Sequence, residues 1–393
     1  MEADDARAYA STMSRTLSGR AALLIAIAAI ATFGACRGGN EPAPTAPPHA
    51  YTLEEAAAPG PYAVGVTTME LVDASRPTAA NGSFPGSSER RITVEVWYPT
   101  ADGPPPGDHR DAALLRAAAP YPLIIFAHGL SSFRLQSQSY TRHLASHGYV
   151  VAAPDFPLTN LGSPGGASIA DLANQPEDVS FVIDRMLAFS GQPGHLMEGA
   201  VRPDAIGMTG HSFGAFTTLL TVYGPHRDER IAAALPIAGS GCVLSEAMTA
   251  GVSVPIMVMI GSDDLLIPRA GNRHAYELAH APRYWVELLG GNHVRFADAD
   301  VDDAQVLAGV QRVIARASSR SAPTSDPLVA CGERPQAGGE PAISLARQQE
   351  LLRTFATPFF DAYLKDDKAA KRFLDNDLPS LVAGAAKYEF EAK

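Results

Sequence analysis

The spacing of apolar and polar positions changes character along the chain. In RITVEVWYP (Arg91 to Pro99) the two kinds alternate with a period of two, as in a strand with one face on a core and the other in water. YPLIIFAHG (Tyr121 to Gly129) is instead apolar throughout, the pattern of a central strand covered on both faces. The same buried-strand pattern recurs in YVVAAPDF, DAIGMTG, IAAALPIAG, VPIMVMIG and YWVELLG. Helical stretches separate these strands: SYTRHLASHG, stopped by Gly148; EDVSFVIDRMLAFS, introduced by Pro176; AFTTLLTVYG; and RHAYELAHA. Buried strands alternating with helices predict an α/β fold, a mostly parallel central sheet with helices on both faces. Beyond the last strand come AQVLAGVQRVIARA and the amphipathic SLARQQELLRTFATPFFDAYLKDD, which is suited to closing one face. The Pro/Gly/Ser-rich segment from Ser318 to Pro341 reads as a loop.

Within this order GHSFG, Gly210 to Gly214, falls between a buried strand and a helix. A bare G-x-S-x-G match is weak, but strand before and helix after are the context of a nucleophile elbow. There Ser212 is raised above the sheet edge on a strained turn, and Gly210 and Gly214 are small because strand and helix crowd around it. A serine hydroxyl needs a histidine as base, and the histidine needs an acid to orient it. In this fold the chain order is serine, acid, histidine. Asp263 and Asp264 follow the strand VPIMVMIG, and His293 follows YWVELLG, so all are expected at the strands' carboxyl ends with Ser212. Asp264 is the preferred acid, with Asp263 left to cap or hydrogen-bond the turn. The loop after Tyr121–Gly129 brings the Leu130 N–H beside that of Phe213, two donors for an oxyanion. His211 is expected to pack on the side away from the nucleophile, and His128 to shape its loop by hydrogen bonding. Phe133 and Phe213 are candidates to line a cleft, against the plainer reading that they pack around the elbow. DADVDD, Asp298 to Asp303, lacks the glycine and distal glutamate of an EF-hand loop, so it reads as an acidic helix N-terminus rather than a calcium site.

Composition narrows the partners. Among 393 residues, 31 Lys and Arg stand against 42 Asp and Glu, a net charge of −11, without the basic clustering that nucleic acid requires. Arg15 and Arg20 precede an uncharged apolar run from Ala21 to Ala35, shorter than the roughly 20 residues that span a bilayer. This predicts a signal peptide over residues 1–35. Cys36 directly after FGA resembles the lipidated cysteine of a bacterial lipobox, and the following Gly/Pro/Ala-rich residues 36–59 read as a tether. The alternative is a plain secretory signal with an incidental cysteine. On the lipoprotein reading the chain is exported and held on a membrane of the cell envelope, with a catalytic domain over residues 60–393. Cys242 and Cys331 are then left as an even pair in an oxidising compartment. A disulfide between them would stabilise by roughly 4 kcal/mol on the chain-entropy model; the alternative is two separate buried thiols.

GPYAVGV, VEVWYP, FAHGLSSFR, LASHGYVVAAPDF, GHSFGAF and GGNHVRF together resemble the platelet-activating factor acetylhydrolase family of α/β-hydrolases, including bacterial relatives labelled dienelactone hydrolases. The resemblance runs from Gly60 to Lys365 and diverges between Asp298 and Ser344. It implies an α/β-hydrolase fold and a serine esterase with Ser212, Asp264 and His293 as triad. It also implies the amides of Leu130 and Phe213 as oxyanion hole, and neither metal nor organic cofactor. True dienelactone hydrolases use a cysteine where this chain has Ser212, so that label does not describe an activity here. More distantly the chain is similar to bacterial cutinases and polyester hydrolases. With no long apolar lid segment in the sequence, short-acyl esters are the expected substrates, acetylated phospholipids among them. A cutinase-like polyester hydrolase is the alternative enzyme, and a non-catalytic envelope lipoprotein using the fold as a binding module is the alternative of another class.

Overall fold

The computed structural model describes residues 50–103, 108–318 and 338–392. Ten strands among them form one sheet: β1 (Ala63–Asp73), β2 (Arg90–Thr100), β3 (Asp108–Arg110), β4 (Tyr121–Ala127), β5 (Val150–Pro154), β6 (Val201–His211), β7 (Ile231–Ile237), β8 (Ile256–Gly261), β9 (Arg283–Leu288) and β10 (Ala386–Glu391). Their order across the sheet is β10-β9-β8-β7-β6-β4-β5-β2-β1-β3. The six strands from β4 to β9 run parallel, while β1, β2 and β10 join antiparallel at the margins. The helices that bear on the site are α1 (Leu53–Ala57), α2 (Gln138–Ser146), α3 (Gln175–Ser190), α4 (Phe213–Tyr223), α5 (Glu246–Thr249), α6 (Arg269–Leu278), α7 (Asp303–Ser318) and α8 (Leu345–Leu364). This is the α/β architecture expected from the sequence.

Strand β4 shows why its sequence is apolar at every position. Ile124 and Phe126 pack into one core layer with Tyr140 and Leu144 of α2 and Phe355 and Phe360 of α8. Leu123, Ile125 and Ala127 point the other way, into a layer with Val179 and Ile183 of α3 and Leu219 of α4. Successive side chains of a strand alternate between faces, and here both faces are core. Each large aliphatic side chain so buried contributes about 1.5–3 kcal/mol.

One buried element is charged. Arg90 lies almost wholly out of solvent, with its guanidinium 2.6 and 2.7 Å from the carboxylate of Asp178 and 3.0 and 3.1 Å from that of Asp171. Burial lifts the Asp178 carboxyl to about 6 against the opposing pull of the Arg90 and Arg76 cations. The Asp171 bond fixes the short turn Ile169–Asn174, whose Ile169 and Leu172 pack with Phe213, Phe216 and Ile267 beneath the elbow.

The fold begins before Gly60, where the tether was expected to end. Thr52 caps α1 with a capping box, and Tyr51 donates to Asp361 of α8 at 2.8 Å. Two reciprocal cap bonds and a partly buried tyrosine outweigh the flexible composition of the residues before them. The expected signal segment, Cys36 and the first part of the tether lie outside the described residues, as does Cys331.

Candidate active site

Strand β6 ends at His211 and α4 starts at Phe213, so Ser212 must turn the chain alone. It does so at φ 58° and ψ −118°, a conformation in which a non-glycine residue is strained. The turn leaves no room beside it. A Cβ on Gly210 would run into the carbonyl of Gly214, and one on Gly214 into the carbonyl of Ala127 in β4. Both glycines are therefore required by close approach, as the sequence pattern suggested.

The Ser212 hydroxyl lies 2.8 Å from His293 Nε2, and His293 Nδ1 lies 2.8 Å from Asp264 Oδ2. The other oxygen of Asp264 accepts the backbone N–H groups of Leu266 and Ile267, at 2.9 and 2.8 Å. A carboxylate fixed in this way receives Nδ1–H and leaves Nε2 free to accept from serine. Asp264 and His293 are both buried. Burial lowers the basicity of His293, but the charge and hydrogen bond of Asp264, with the charge of Asp303, more than offset it and hold the imidazole above its ordinary value. Asp263 stands outside this hydrogen-bonded line, and its carboxylate accepts the N–H of Gly338 at the surface rather than a group of its own turn.

Leu130 and Phe213 both line the cleft in front of Ser212. Among the described residues neither backbone N–H has a hydrogen-bond partner, although their neighbours do. Gly129 N–H donates to Gln136 Oε1 at 2.7 Å and Ser131 N–H to the Thr159 carbonyl at 2.8 Å. The cleft has a volume of about 690 Å³ and its walls include Leu266, Ile267 and Val294. Phe133, expected to line it, does not. The turn through Ser131 and Ser132 carries its ring to the surface, where it is 38% exposed, whereas Phe213 is buried at the elbow.

Several participants were not anticipated in these positions. His211 packs, but on the side of the site rather than away from the nucleophile, its ring centroid 4.6 Å from that of His293. Its Nε2–H donates to the His293 carbonyl at 3.0 Å, and its Nδ1 accepts from Gln136 Nε2 at 2.8 Å. Burial, with the neighbouring His293, holds it neutral well below the ordinary imidazole range. Gln136 thus connects the loop of Leu130 to the loop of His293. His128 shapes its loop as expected, with Nδ1–H on the Gly129 carbonyl at 2.7 Å and Nε2 accepting the Phe156 N–H at 3.2 Å. Helix α7 runs along the cleft and contributes Gln305, Val306, Gly309 and Arg312 to its wall. DADVDD also divides its labour. Asp300 and Asp302 pair with Arg295 at the surface, and Asp298 binds Ser139. Asp303 is buried instead and accepts three backbone N–H groups, from Leu265, His293 and Val294, at 2.9, 2.9 and 3.0 Å. No group of three or more potential metal ligands is arranged around a common point among the described residues.

Residues 103–157 match the family model described as platelet-activating factor acetylhydrolase, isoform II, which supports the resemblance seen in the sequence. The matched stretch starts just after β2 and runs through β4, the Leu130 loop and α2 to just past β5. Among solved structures, a ferulic acid esterase from Streptomyces cinnamoneus superposes with a TM-score of 0.55 at 23% identity, over 79% of this chain and 93% of that one. The fold is that of the α/β-hydrolases. No curated protein matches the sequence.

Proposed function

We propose that this α/β-hydrolase is a serine carboxylic-ester hydrolase acting on short-acyl esters, with Ser212 as nucleophile, His293 as general base and Asp264 as the orienting acid. The observation that carries the proposal is the continuous hydrogen-bonded line Ser212–His293–Asp264, opening onto a cleft beside two backbone N–H groups that have no partner among the described residues. The match to the acetylhydrolase family model supports the same reaction class.

The reaction follows from the geometry. As Ser212 Oγ bonds to the ester carbonyl carbon, its proton passes to His293 Nε2. The carbonyl oxygen becomes an oxyanion held by the Leu130 and Phe213 amides, an effect worth about 3–4 kcal/mol per donor. Collapse expels the alcohol, which takes the proton from Nε2 and leaves an acyl group on Ser212. Water, deprotonated by the same nitrogen, then adds to the acyl carbon and releases the acid. Asp264 keeps the proton on Nδ1 and stabilises the imidazolium formed in each half.

The test is hydrolysis of p-nitrophenyl esters from acetate to palmitate by the protein without residues 1–36, with methyl ferulate and an insoluble polyester in the same panel. Rates that fall steeply beyond butyrate and vanish in Ser212→Ala are expected. Equal rates in the two proteins would overturn the assignment, equal and negligible ones favouring the binding-module reading, and preferential attack on the polyester would favour a cutinase-like enzyme.

For the cellular setting we propose export, lipidation at Cys36 on the cell envelope, and a Cys242–Cys331 disulfide. The apolar segment of residues 21–35 and the FGAC junction support the first two. The even pair of cysteines left once Cys36 is set aside, in an oxidising compartment, supports the third. Mass analysis of the full chain expressed in a bacterium checks all three: cleavage before Cys36 with added acyl mass, and a cystine peptide joining Cys242 to Cys331.

A further inference from the structure

We propose that Asp303 is a positioning residue of the hydrolytic site, clamping the loop that carries Asp264 to the loop that carries His293 and placing a second negative charge behind the imidazole. The inference rests on the ester-hydrolase reading above and concerns a residue outside the triad. An aspartate in the first turn of a helix ordinarily serves the free N–H groups of that helix. Asp303 opens α7 yet turns to other loops. Its Oδ2 accepts the N–H of Leu265, the residue after Asp264, and also that of His293 itself, while Oδ1 accepts from Val294. One buried carboxylate therefore spans two loops that start from different strands and must meet to within a hydrogen bond.

The position is an expensive one for a charge. Asp303 is 2% exposed and faces a second carboxylate, Asp264. Burial, aided by that neighbour, raises its carboxyl above the ordinary value, while His293 and the backbone N–H groups work to keep it ionised. The charged groups around His293 are Asp264 from the loop after β8 and Asp303 from α7, with neutral His211 from β6 tilted against the ring. When Nε2 takes the serine proton, the imidazolium faces both carboxylates. The arrangement is unfavourable before the proton moves and favourable after it, which is the differential that speeds a reaction.

The test compares Asp303→Asn, Asp303→Glu and, as a surface control from the same cluster, Asp302→Asn. kcat and kcat/KM on p-nitrophenyl acetate are measured across pH, alongside thermal melting. In Asp303→Asn, kcat is expected to fall about 10- to 100-fold, the scale of a misplacement near 1 Å. The acidic limb of its kcat/KM profile should move to lower pH, because a charge favouring protonated His293 is gone. Asp303→Glu keeps the charge, so its limb stays in place while kcat falls from altered reach. Asp302→Asn matches the parent in both respects. A folded Asp303→Asn with the parental limb and kcat overturns the proposal. If that variant does not fold, parental kcat in Asp303→Glu overturns it, and failure of both to fold makes Asp303 purely structural, which overturns it as well. Failure of the parent protein to hydrolyse any ester would count against the ester-hydrolase reading itself.

Discussion

Replacing Asp264 by asparagine removes a charge without removing volume, and the surrounding hydrogen bonds dictate how the site responds. The side chain must still satisfy the N–H groups of Leu266 and Ile267, which both point at Oδ1. Turning the amide nitrogen toward them would leave two buried donors unmatched, at about 1–3 kcal/mol each. The amide oxygen therefore stays on that side and the NH₂ takes the place of Oδ2, 2.8 Å from His293 Nδ1. Two donors cannot face each other, so Nδ1 gives up its proton and the ring carries it on Nε2, toward Ser212 Oγ at 2.8 Å. Nε2 then has no lone pair with which to accept the serine proton. The equivalent substitution in serine-protease triads lowers kcat by about 10⁴, or about 5.5 kcal/mol of barrier. Asp264→Asn should show a loss of that order on p-nitrophenyl acetate, with a melting temperature near that of the parent. Asp263→Asn should stay within about twofold, since among the described residues its carboxylate bonds only a surface amide. An Asp264→Asn protein within tenfold of the parent would refute the tautomer argument, and a comparable loss in Asp263→Asn would move the acid to the neighbouring position.

The pH profile of kcat/KM should rise as His293 loses its proton, with a midpoint above the ordinary imidazole value of 6.5, because the carboxylates of Asp264 and Asp303 favour the charged ring; a midpoint at pH 5 would contradict this balance. Gly214→Ala should reduce kcat by at least about 100-fold or prevent folding, since its methyl group enters the space of the Ala127 carbonyl, and a variant with parental melting and turnover would show that the elbow yields. Arg90→Met should cost about 3–5 kcal/mol at pH 8 by stranding Asp171 and Asp178, measured by urea unfolding. The deficit should shrink at pH 5: with Arg90 present Asp178 already titrates at about 6, and losing the cation raises it further, so the folded variant takes up a proton there and sheds the unpaired charge. A deficit independent of pH would mean that packing, rather than charge, sets the cost.

The parts of the site legible from sequence are those governed by local rules. Ser212 sits where a buried-strand pattern gives way to a helical one, and the glycines on either side report the crowding of that junction. Asp264 and His293 follow recognisable buried strands, so their edge of the sheet could be read without knowing the sheet order. The margins were less visible. In β10, AKYEFE, the inward residues are Ala386 and a ring-forming Tyr388 that packs on Phe355, a partner more than thirty residues away. The antiparallel return of β10 is set by that packing rather than by any pattern within its own six residues.

The same distinction accounts for Asp303. Its residue type and its place at the start of a helix agree with an ordinary dipole contact, which is why DADVDD reads as an acidic helix N-terminus. Nothing local separates it from Asp300 or Asp302, yet those two meet Arg295 at the surface while Asp303 is buried against the base. What separates them is the path of α7 along the cleft, which depends on side chains distributed over the whole chain. A carboxylate whose partners are all backbone N–H groups leaves no complementary residue for a sequence motif to pair it with. Functional groups that act through main-chain hydrogen bonds are therefore the ones a single sequence hides, and the Leu130 and Phe213 amides became legible only because the strands and the elbow that precede them have patterns of their own.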